Sequence, residues 1–296
     1  MSTRVLPDFE ILVPQSKAEA LKQLSQHKDD AAILAGGTDL LVQMKGQLKC
    51  NCKGENAFSY LLSLAEVPGL DYVEYDETDG LKIGAMATLS QVAAHPAVKE
   101  NYPGLLESIE VCGTKQTRNM GTVVGNLLNA SPCADCGCSI LAWGGTLTLE
   151  GPEGSREVDF DDFYLGYRLT ARNSDEIALE IKLPPKSEGT VSAHHKMTRV
   201  EHDLSKITVS VRLEMSGKTC QSARIAMASV APTIIRLKET EKLLTGVEIT
   251  DQVLESVAKS ASAEVTPIDD VRSTAEYRRD VSGVMVKRLI KKVCNV

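Results

Sequence analysis

The most constraining feature of this sequence is a stretch of regular alternation at the start of its C-terminal third. Residues 207–230, ITVSVRLEMSGKTCQSARIAMASV, alternate apolar and polar side chains on both sides of Ser216-Gly217. A period of two predicts strands with one buried face, and a Ser-Gly pair between two such runs predicts a tight turn. We therefore predict an antiparallel pair of strands here. Helical periodicity over 233–246, 251–265 and 273–293 then makes this part an α+β domain.

A second domain is predicted upstream of this region. LPPKSEGT, residues 183–190, is rich in Pro, Ser and Gly, which favours a linker, so we place the domain limits at 1–185 and 190–296. Before it, a helix is predicted at 16–27 and a hairpin at 145–160, GTLTLEGPEGSREVDF. We expect two lobes, about 1–58 and 59–185. With 296 residues, 43% of them hydrophobic, the chain can bury two cores.

Charge and hydropathy exclude several classes of function. The net charge of −7, with no basic face, argues against non-specific binding of nucleic acid or of anionic membranes. No run of eighteen apolar residues occurs, so the sequence predicts no membrane span. Residues 1–15, MSTRVLPDFEILVPQ, carry charges where a signal peptide needs an apolar run, so we expect a cytoplasmic protein.

Two glycine turns are the strongest candidates for a ligand site. Gly36 and Gly37 follow an apolar segment and precede Thr38, and GTVVGN, residues 121–126, repeats this mixture of hydroxyl, amide and backbone groups. Glycine allows positive φ and close approach of the backbone, whose successive N–H groups can bind a phosphate. One such turn alone is more often an ordinary strand-to-helix turn, and no G-x-G-x-x-G fingerprint is present. Two turns together could clamp the two phosphates of a dinucleotide.

Six segments, in order from about residue 7 to the end, carry a resemblance to a known family: AILAGGTDLL, TRNMGTVVGNLLNASPCAD, DEIALEIKLP, KMTRVEHDLSKITV, RIAMASVAPTIIR and AEYRRDVSGVMVKRLI. With them the chain resembles the FAD-binding medium subunit of the xanthine dehydrogenase and carbon monoxide dehydrogenase family of molybdenum hydroxylases. The resemblance implies an α+β fold. It comprises a two-lobed FAD-binding domain of the molybdopterin-dehydrogenase flavoprotein type and a C-terminal α+β domain with an antiparallel sheet.

The resemblance also implies roles for individual residues. The first turn would wrap the FAD pyrophosphate from one side and the second from the other, with Gly113 beside the cofactor. Asp135 would hold a sugar-type hydroxyl, although a role in a turn or as a helix N-cap is the alternative. Lys196 would approach the flavin, where a cation stabilises the anionic reduced form; from the sequence alone it could be a solvated strand lysine. The implied FAD residues are Ile33, Leu34, Ala35, Gly36, Gly37, Thr38, Asp39, Leu40, Gly113, Thr122, Val123, Val124, Gly125, Asn126, Asp135 and Lys196.

Three departures from the family pattern bear on this site. Val124 stands where the family usually has glycine, and a β-branched residue resists positive φ. Either the backbone there is conventional or the turn is reshaped. Thr114-Lys115 replaces a small residue followed by proline. Cys112 takes a position where some relatives place an aromatic residue against the flavin, which would leave that face of the ring more open.

The implied function is electron transfer within a larger assembly. A large molybdopterin subunit would oxidise the substrate, and a small subunit with [2Fe–2S] clusters would pass electrons to FAD here. This chain would deliver them to NAD, a ferredoxin or another acceptor. We identify no catalytic acid, base or nucleophile. The alternatives are a stand-alone FAD-dependent oxidoreductase and a non-redox scaffold subunit that retains the fold.

Clustered cysteines suggest a second cofactor. Cys133, Cys136 and Cys138 lie within six residues, and Cys50 and Cys52 form a second group. Four thiolates suit an iron–sulfur cluster or zinc. We therefore consider an iron–sulfur cluster on the first three and one of the second pair. The alternative is free thiols near the flavin, because the two groups need not meet in space.

Overall fold

The computed structural model describes residues 6–45 and 58–295. Its strands are β1 (Glu10–Leu12), β2 (Ala31–Leu34), β3 (Tyr60–Ser63), β4 (Val73–Asp76), β5 (Gly80–Gly84), β6 (Thr146–Gly151), β7 (Gly154–Asp159), β8 (Tyr164–Gly166), β9 (Leu169–Thr170), β10 (Ile177–Leu183), β11 (Thr190–Met197), β12 (Ile207–Ser216), β13 (Thr219–Ala228), β14 (Ile235–Arg236) and β15 (Val247–Glu248). Its helices are α1 (Lys17–His27), α2 (Leu40–Met44), α3 (Leu89–Ala94), α4 (Pro96–Asn101), α5 (Pro103–Glu110), α6 (Lys115–Met120), α7 (Val123–Leu128), α8 (Asp135–Trp143), α9 (Lys238–Lys242), α10 (Asp251–Glu264) and α11 (Ala275–Cys294).

The N-terminal lobe is built on a small parallel sheet in the order β1-β3-β2. The helix predicted at 16–27 is confirmed as α1, which begins where Ser16 Oγ accepts the backbone N–H of Glu19. The first glycine turn connects β2 to α2. Because β3 completes this sheet, the N-terminal lobe extends beyond residue 58, the limit that we expected.

The second lobe contains an antiparallel sheet in the order β4-β5-β10-β6-β7. The hairpin predicted at 145–160 is confirmed as β6 and β7, paired from Thr146 opposite Asp159 to Gly151 opposite Gly154. Helices α3, α4, α5, α7 and α8 contribute to one core with this sheet, in which the rings of Tyr102 and Trp143 lie 4.5 Å apart. The second glycine turn joins α6 to α7 in this layer.

The C-terminal domain is an antiparallel sheet, β11-β12-β13-β14, covered by α10 and α11. The predicted pair at 207–230 is confirmed, since β12 and β13 pair along their length about Ser216-Gly217. The helix predicted over 233–246 is only partly correct. Ile235 and Arg236 instead pair with β13 as β14, and the helix is limited to α9. None of the helices in the described residues is long and apolar enough to span a membrane.

Contacts between the domains determine the geometry of the site. Helices α5 and α8 pack against β11, β12 and β13. Asp161, after β7, accepts hydrogen bonds from Arg224 at 3.1 Å and from Arg236 at 2.6 Å, both in the C-terminal domain. This packing brings the end of β11, with Lys196, against the first turn of α8.

Candidate cofactor site

A cavity of about 1280 Å³ is formed by both lobes and the C-terminal domain. Both glycine turns line it, and so do Gly113, Asp135 and Lys196. Of the residues that the sequence implies for FAD, only Leu34 and Val123 do not line the cavity. Leu34 packs into the core of the N-terminal lobe, and Val123 is fully buried in the core of the second lobe. One concave site therefore gathers residues that are up to 163 positions apart in the sequence, from Ile33 to Lys196.

The two glycine turns are in direct contact. A Cβ atom added to Gly36 would lie 1.9 Å from the carbonyl oxygen of Met120 and 2.8 Å from Cα of Gly121. Thr38 Oγ1 would lie 3.2 Å from a Cβ added to Gly121. Gly36 is thus required because the backbones of two turns from different lobes touch there. The sequence suggested a different reason, close approach to a phosphate.

Backbone donors are available at both turns. No residue in the described parts of the chain accepts a hydrogen bond from the N–H of Gly36, Gly37 or Thr38. In the second turn, Thr122 Oγ1 accepts from Gly125 N at 3.0 Å, while the N–H of Val124 has no acceptor among those residues. Such N–H groups beside a cavity are suited to bind anionic oxygens.

Val124 does not reshape the second turn. It lies in the first turn of α7 with an ordinary negative φ, and its side chain is buried. A glycine is therefore not needed at this position for conformational reasons. Of the two alternatives left open by the sequence, the conventional backbone is observed.

Asp135 and Lys196 form a buried ion pair at the cavity. Lys196 Nζ lies 2.9 Å from Asp135 Oδ2, and the two side chains are 6% and 7% exposed. Burial raises the pKa of Asp135 to about 6, although the ammonium group of Lys196 opposes this shift. Asp135 Oδ1 has no partner among the described residues, and the side chain does not cap α8. A donor from a bound ligand would satisfy this oxygen.

The family is established by two matches that together cover most of the chain. Residues 7–186 match the family described as "FAD binding domain in molybdopterin dehydrogenase". Residues 192–293 match "CO dehydrogenase flavoprotein C-terminal domain". The chain belongs to the molybdenum hydroxylase medium-subunit family. The resemblance inferred from the sequence is thereby confirmed, and the chain is an oxidoreductase subunit with an FAD-binding domain.

Members of this medium-subunit family match the chain along its length. The carbon monoxide dehydrogenase medium chain of Hydrogenophaga pseudoflava is 32% identical over 284 residues, which cover 96% of each chain. The nicotinate dehydrogenase FAD-subunit of Eubacterium barkeri is 26% identical, again over 96% of each. A solved carbon monoxide dehydrogenase from H. pseudoflava superimposes with a TM-score of 0.92 at 31% identity, over 98% of each chain. One from Oligotropha carboxidovorans gives 0.92 at 30% identity, over 98% of this chain and 99% of that one.

The clustered cysteines of this medium-subunit chain do not form a metal site where the structure describes them. Within residues 6–45 and 58–295, no three His, Cys, Asp or Glu side chains are placed so that they could hold one metal ion. Cys136 and Cys138 are fully buried on α8, and the Cys138 thiol donates to the carbonyl of Ala226 at 3.2 Å. Burial raises the pKa of Cys138 to about 12, which favours the thiol over a thiolate ligand. Cys50 and Cys52 lie outside the described residues, so the cluster hypothesis stays a prediction.

Several residues at the site were missed by sequence reasoning. Arg168 lines the cavity from the turn between β8 and β9, and its charge opposes the burial that raises the pKa of Asp39. Arg172 lines it from the segment before β10, and Thr117 lines it beside Gly113. No periodicity or motif singled them out. Arg168 has a positive φ of 55°, which only the structure reveals.

Proposed function

We propose that the chain binds FAD in this cavity and transfers electrons as the medium subunit of a molybdenum hydroxylase complex. The observation that carries the proposal is the meeting of both glycine turns and the buried Asp135–Lys196 pair in one cavity of about 1280 Å³. Single small-molecule pockets usually enclose about 300–1,000 Å³, so this volume is large enough for a dinucleotide.

The residues present fit FAD. The N–H groups of Gly36, Gly37 and Thr38 would donate to one side of the pyrophosphate, and the second turn would donate to the other. The unpartnered Oδ1 of Asp135 would accept from a sugar-type or ribityl hydroxyl. When bound, FAD supplies a redox centre that exchanges electrons one or two at a time. The protein binds and orients it between the two glycine turns and the Asp135–Lys196 pair.

Lys196 has a defined place in this proposal. Its ammonium group donates to Asp135 Oδ2 and, at 3.2 Å, to the carbonyl oxygen of Val111. Both bonds hold the end of β11 against the second lobe, which closes the cavity from the side of the C-terminal domain. We expect Lys196 to influence the flavin potential and to contribute less to FAD retention.

The proposed partners follow from the family. A large molybdopterin subunit would oxidise the substrate, and a small [2Fe–2S] subunit would carry electrons to this chain. NAD or a ferredoxin would accept them. Purification of the complex from its source and mass spectrometry of the co-purifying chains tests the partners. Reduction of each acceptor by the complex tests the last step.

Flavin content tests the proposal directly. The purified chain, reconstituted with FAD, should release one equivalent of FAD on acid denaturation. A non-redox scaffold would release no FAD. A reconstituted chain that releases no FAD would therefore refute the proposal. A turn reshaped by Val124 would have favoured the scaffold, but the backbone of Val124 is conventional. A stand-alone oxidoreductase would instead oxidise a substrate without any partner subunit.

A further inference from the structure

Two cations donate hydrogen bonds to the turn after α5. Lys196 Nζ donates to the carbonyl oxygen of Val111 at 3.2 Å. Arg118, in the last turn of α6, donates from one terminal nitrogen to the carbonyl oxygens of Cys112 at 3.2 Å and Gly113 at 3.0 Å. Three consecutive carbonyls therefore accept from charged donors. Cys112 and Gly113 line the cavity, and Gly113 has a positive φ of 57°.

The two cations differ in how their charge is compensated. Lys196 is ion-paired with Asp135 at 2.9 Å, and the pair is almost fully buried. While Asp135 is ionised, the pair adds no net charge to this end of the cavity. Arg118 is half-buried and contacts carbonyl oxygens. None of the carboxylates in the described parts of the chain forms an ion pair with it. Its positive charge is therefore the uncompensated one at this turn.

The neighbours of Arg118 on α6 do not compensate its positive charge. Lys115 lies on the same helix but is exposed, so water screens it. Asn119, the next residue, accepts from the neutral hydroxyl of Ser90 at 2.6 Å. A half-buried guanidinium is screened less than a surface lysine, so its field reaches further into the cavity.

We propose that Arg118 is a positioning residue for the flavin. It fixes the backbone of Cys112 and Gly113 and supplies the net positive charge that favours the reduced, anionic cofactor. The inference rests on the proposed binding of FAD. It assigns the tuning charge to a residue that does not line the cavity, and it gives Lys196 the role of one half of a neutral pair.

The experiment compares the affinity for reduced FAD with the affinity for oxidised FAD, by anaerobic titration of the apo-chain with each form. Arg118→Gln should lower the ratio of the two affinities on the order of tenfold, because one charge is removed near the flavin. Arg118→Lys, which keeps the charge, should stay close to the wild-type ratio. Lys115→Gln removes an exposed charge from the same helix and is the matched control, with no change expected.

Several outcomes would overturn the inference. An unchanged affinity ratio in Arg118→Gln would show that the charge of Arg118 does not favour reduced FAD. If the affinity ratio falls equally in Arg118→Lys and Arg118→Gln, the hydrogen bonds of Arg118 explain the effect and its charge does not. If Arg118→Gln does not bind FAD, Asp135→Asn is the second test. This variant leaves the charge of Lys196 uncompensated and should raise the ratio of the affinities for reduced and oxidised FAD. No rise in that ratio would refute the charge argument. A wild-type chain that binds neither form of FAD would instead refute the proposed function.

Discussion

Replacing Gly36 with alanine tests the contact between the two glycine turns. The added Cβ would lie 1.9 Å from the Met120 carbonyl oxygen, whereas ordinary contacts begin at 3.4 Å. The opposing atoms are backbone, so no side chain can rotate away. The first turn must therefore move relative to the second by roughly the missing distance, 3.4 − 1.9 = 1.5 Å.

The cost follows from this displacement. Overpacking of a well-packed region lowers the free energy of unfolding by about 1–3 kcal/mol. The larger effect should be on FAD, because a pyrophosphate held from both sides loses donors when the turns separate. A hydrogen bond to a charged group contributes about 1.5–3 kcal/mol. Losing one such bond should weaken FAD binding at least tenfold, since about 1.4 kcal/mol corresponds to a factor of ten.

Isothermal titration of apo-protein with FAD measures the affinity, and urea unfolding of the same apo-protein measures the stability. Gly166→Ala is a matched control. Its Cβ would lie 3.8 Å from Leu169, an ordinary contact, and its φ is not positive. Wild-type FAD affinity in Gly36→Ala would show that the turns do not need to touch in order to bind the cofactor.

Three further predictions concern the same region. Lys196→Met should lower the flavin potential while FAD content stays near wild type, because Asp135 loses its counter-ion, and redox titration that finds no shift would remove Lys196 from the site. The pKa of Asp135, about 6, is raised above its unfolded value of 3.8. Its contribution to the free energy of unfolding of the apo-chain is therefore present below about pH 4 and lost as the pH rises through 6. The loss is about 3 kcal/mol, should be absent in Asp135→Asn, and is measured by urea unfolding across this range. If Cys133, Cys136 and Cys138 hold a cluster, the isolated chain purified anaerobically should contain iron and acid-labile sulfide, and background levels of both would exclude it.

Local patterns predicted those elements whose partners are adjacent in sequence. Alternation about Ser216-Gly217 predicted β12 and β13, because a hairpin satisfies its backbone hydrogen bonds within one segment. The helix at 16–27 was equally predictable from the sequence, since Ser16 caps it and its apolar residues share one face. Such elements need little from the rest of the chain.

The segment 233–246 shows where local patterns fail. Its periodicity favours a helix, but Ile235 and Arg236 pair with Met227 and Ala226 of the preceding strand, β13. Arg236 also bonds to Asp161 of the other domain. Tertiary pairing thus outweighs the local preference, and nothing within the segment indicates the partner.

The candidate site divides in the same way. Family resemblance placed the FAD residues in their segments, and the structure brings most of them to one cavity. Family resemblance could not show that Gly36 touches Met120, because that contact joins two lobes. Cysteine spacing suggested a shared site for Cys133, Cys136 and Cys138, but it could not show that Cys136 and Cys138 lie on a helix whose residues are all buried.

The charge of the cavity wall at Asp135 and Lys196 depends on contacts between domains. Lys196 comes from β11 of the C-terminal domain, and Asp135 comes from α8 of the second lobe. In the sequence, each is a charged residue of a kind that usually lies at the surface. In the structure they lie 2.9 Å apart, almost fully buried, and their charges cancel. A burial penalty for either ion alone explains why the pair must form together. Docking of the C-terminal domain therefore supplies the counter-ion of Asp135, while Arg118 contacts only carbonyl oxygens with its guanidinium group among the described residues.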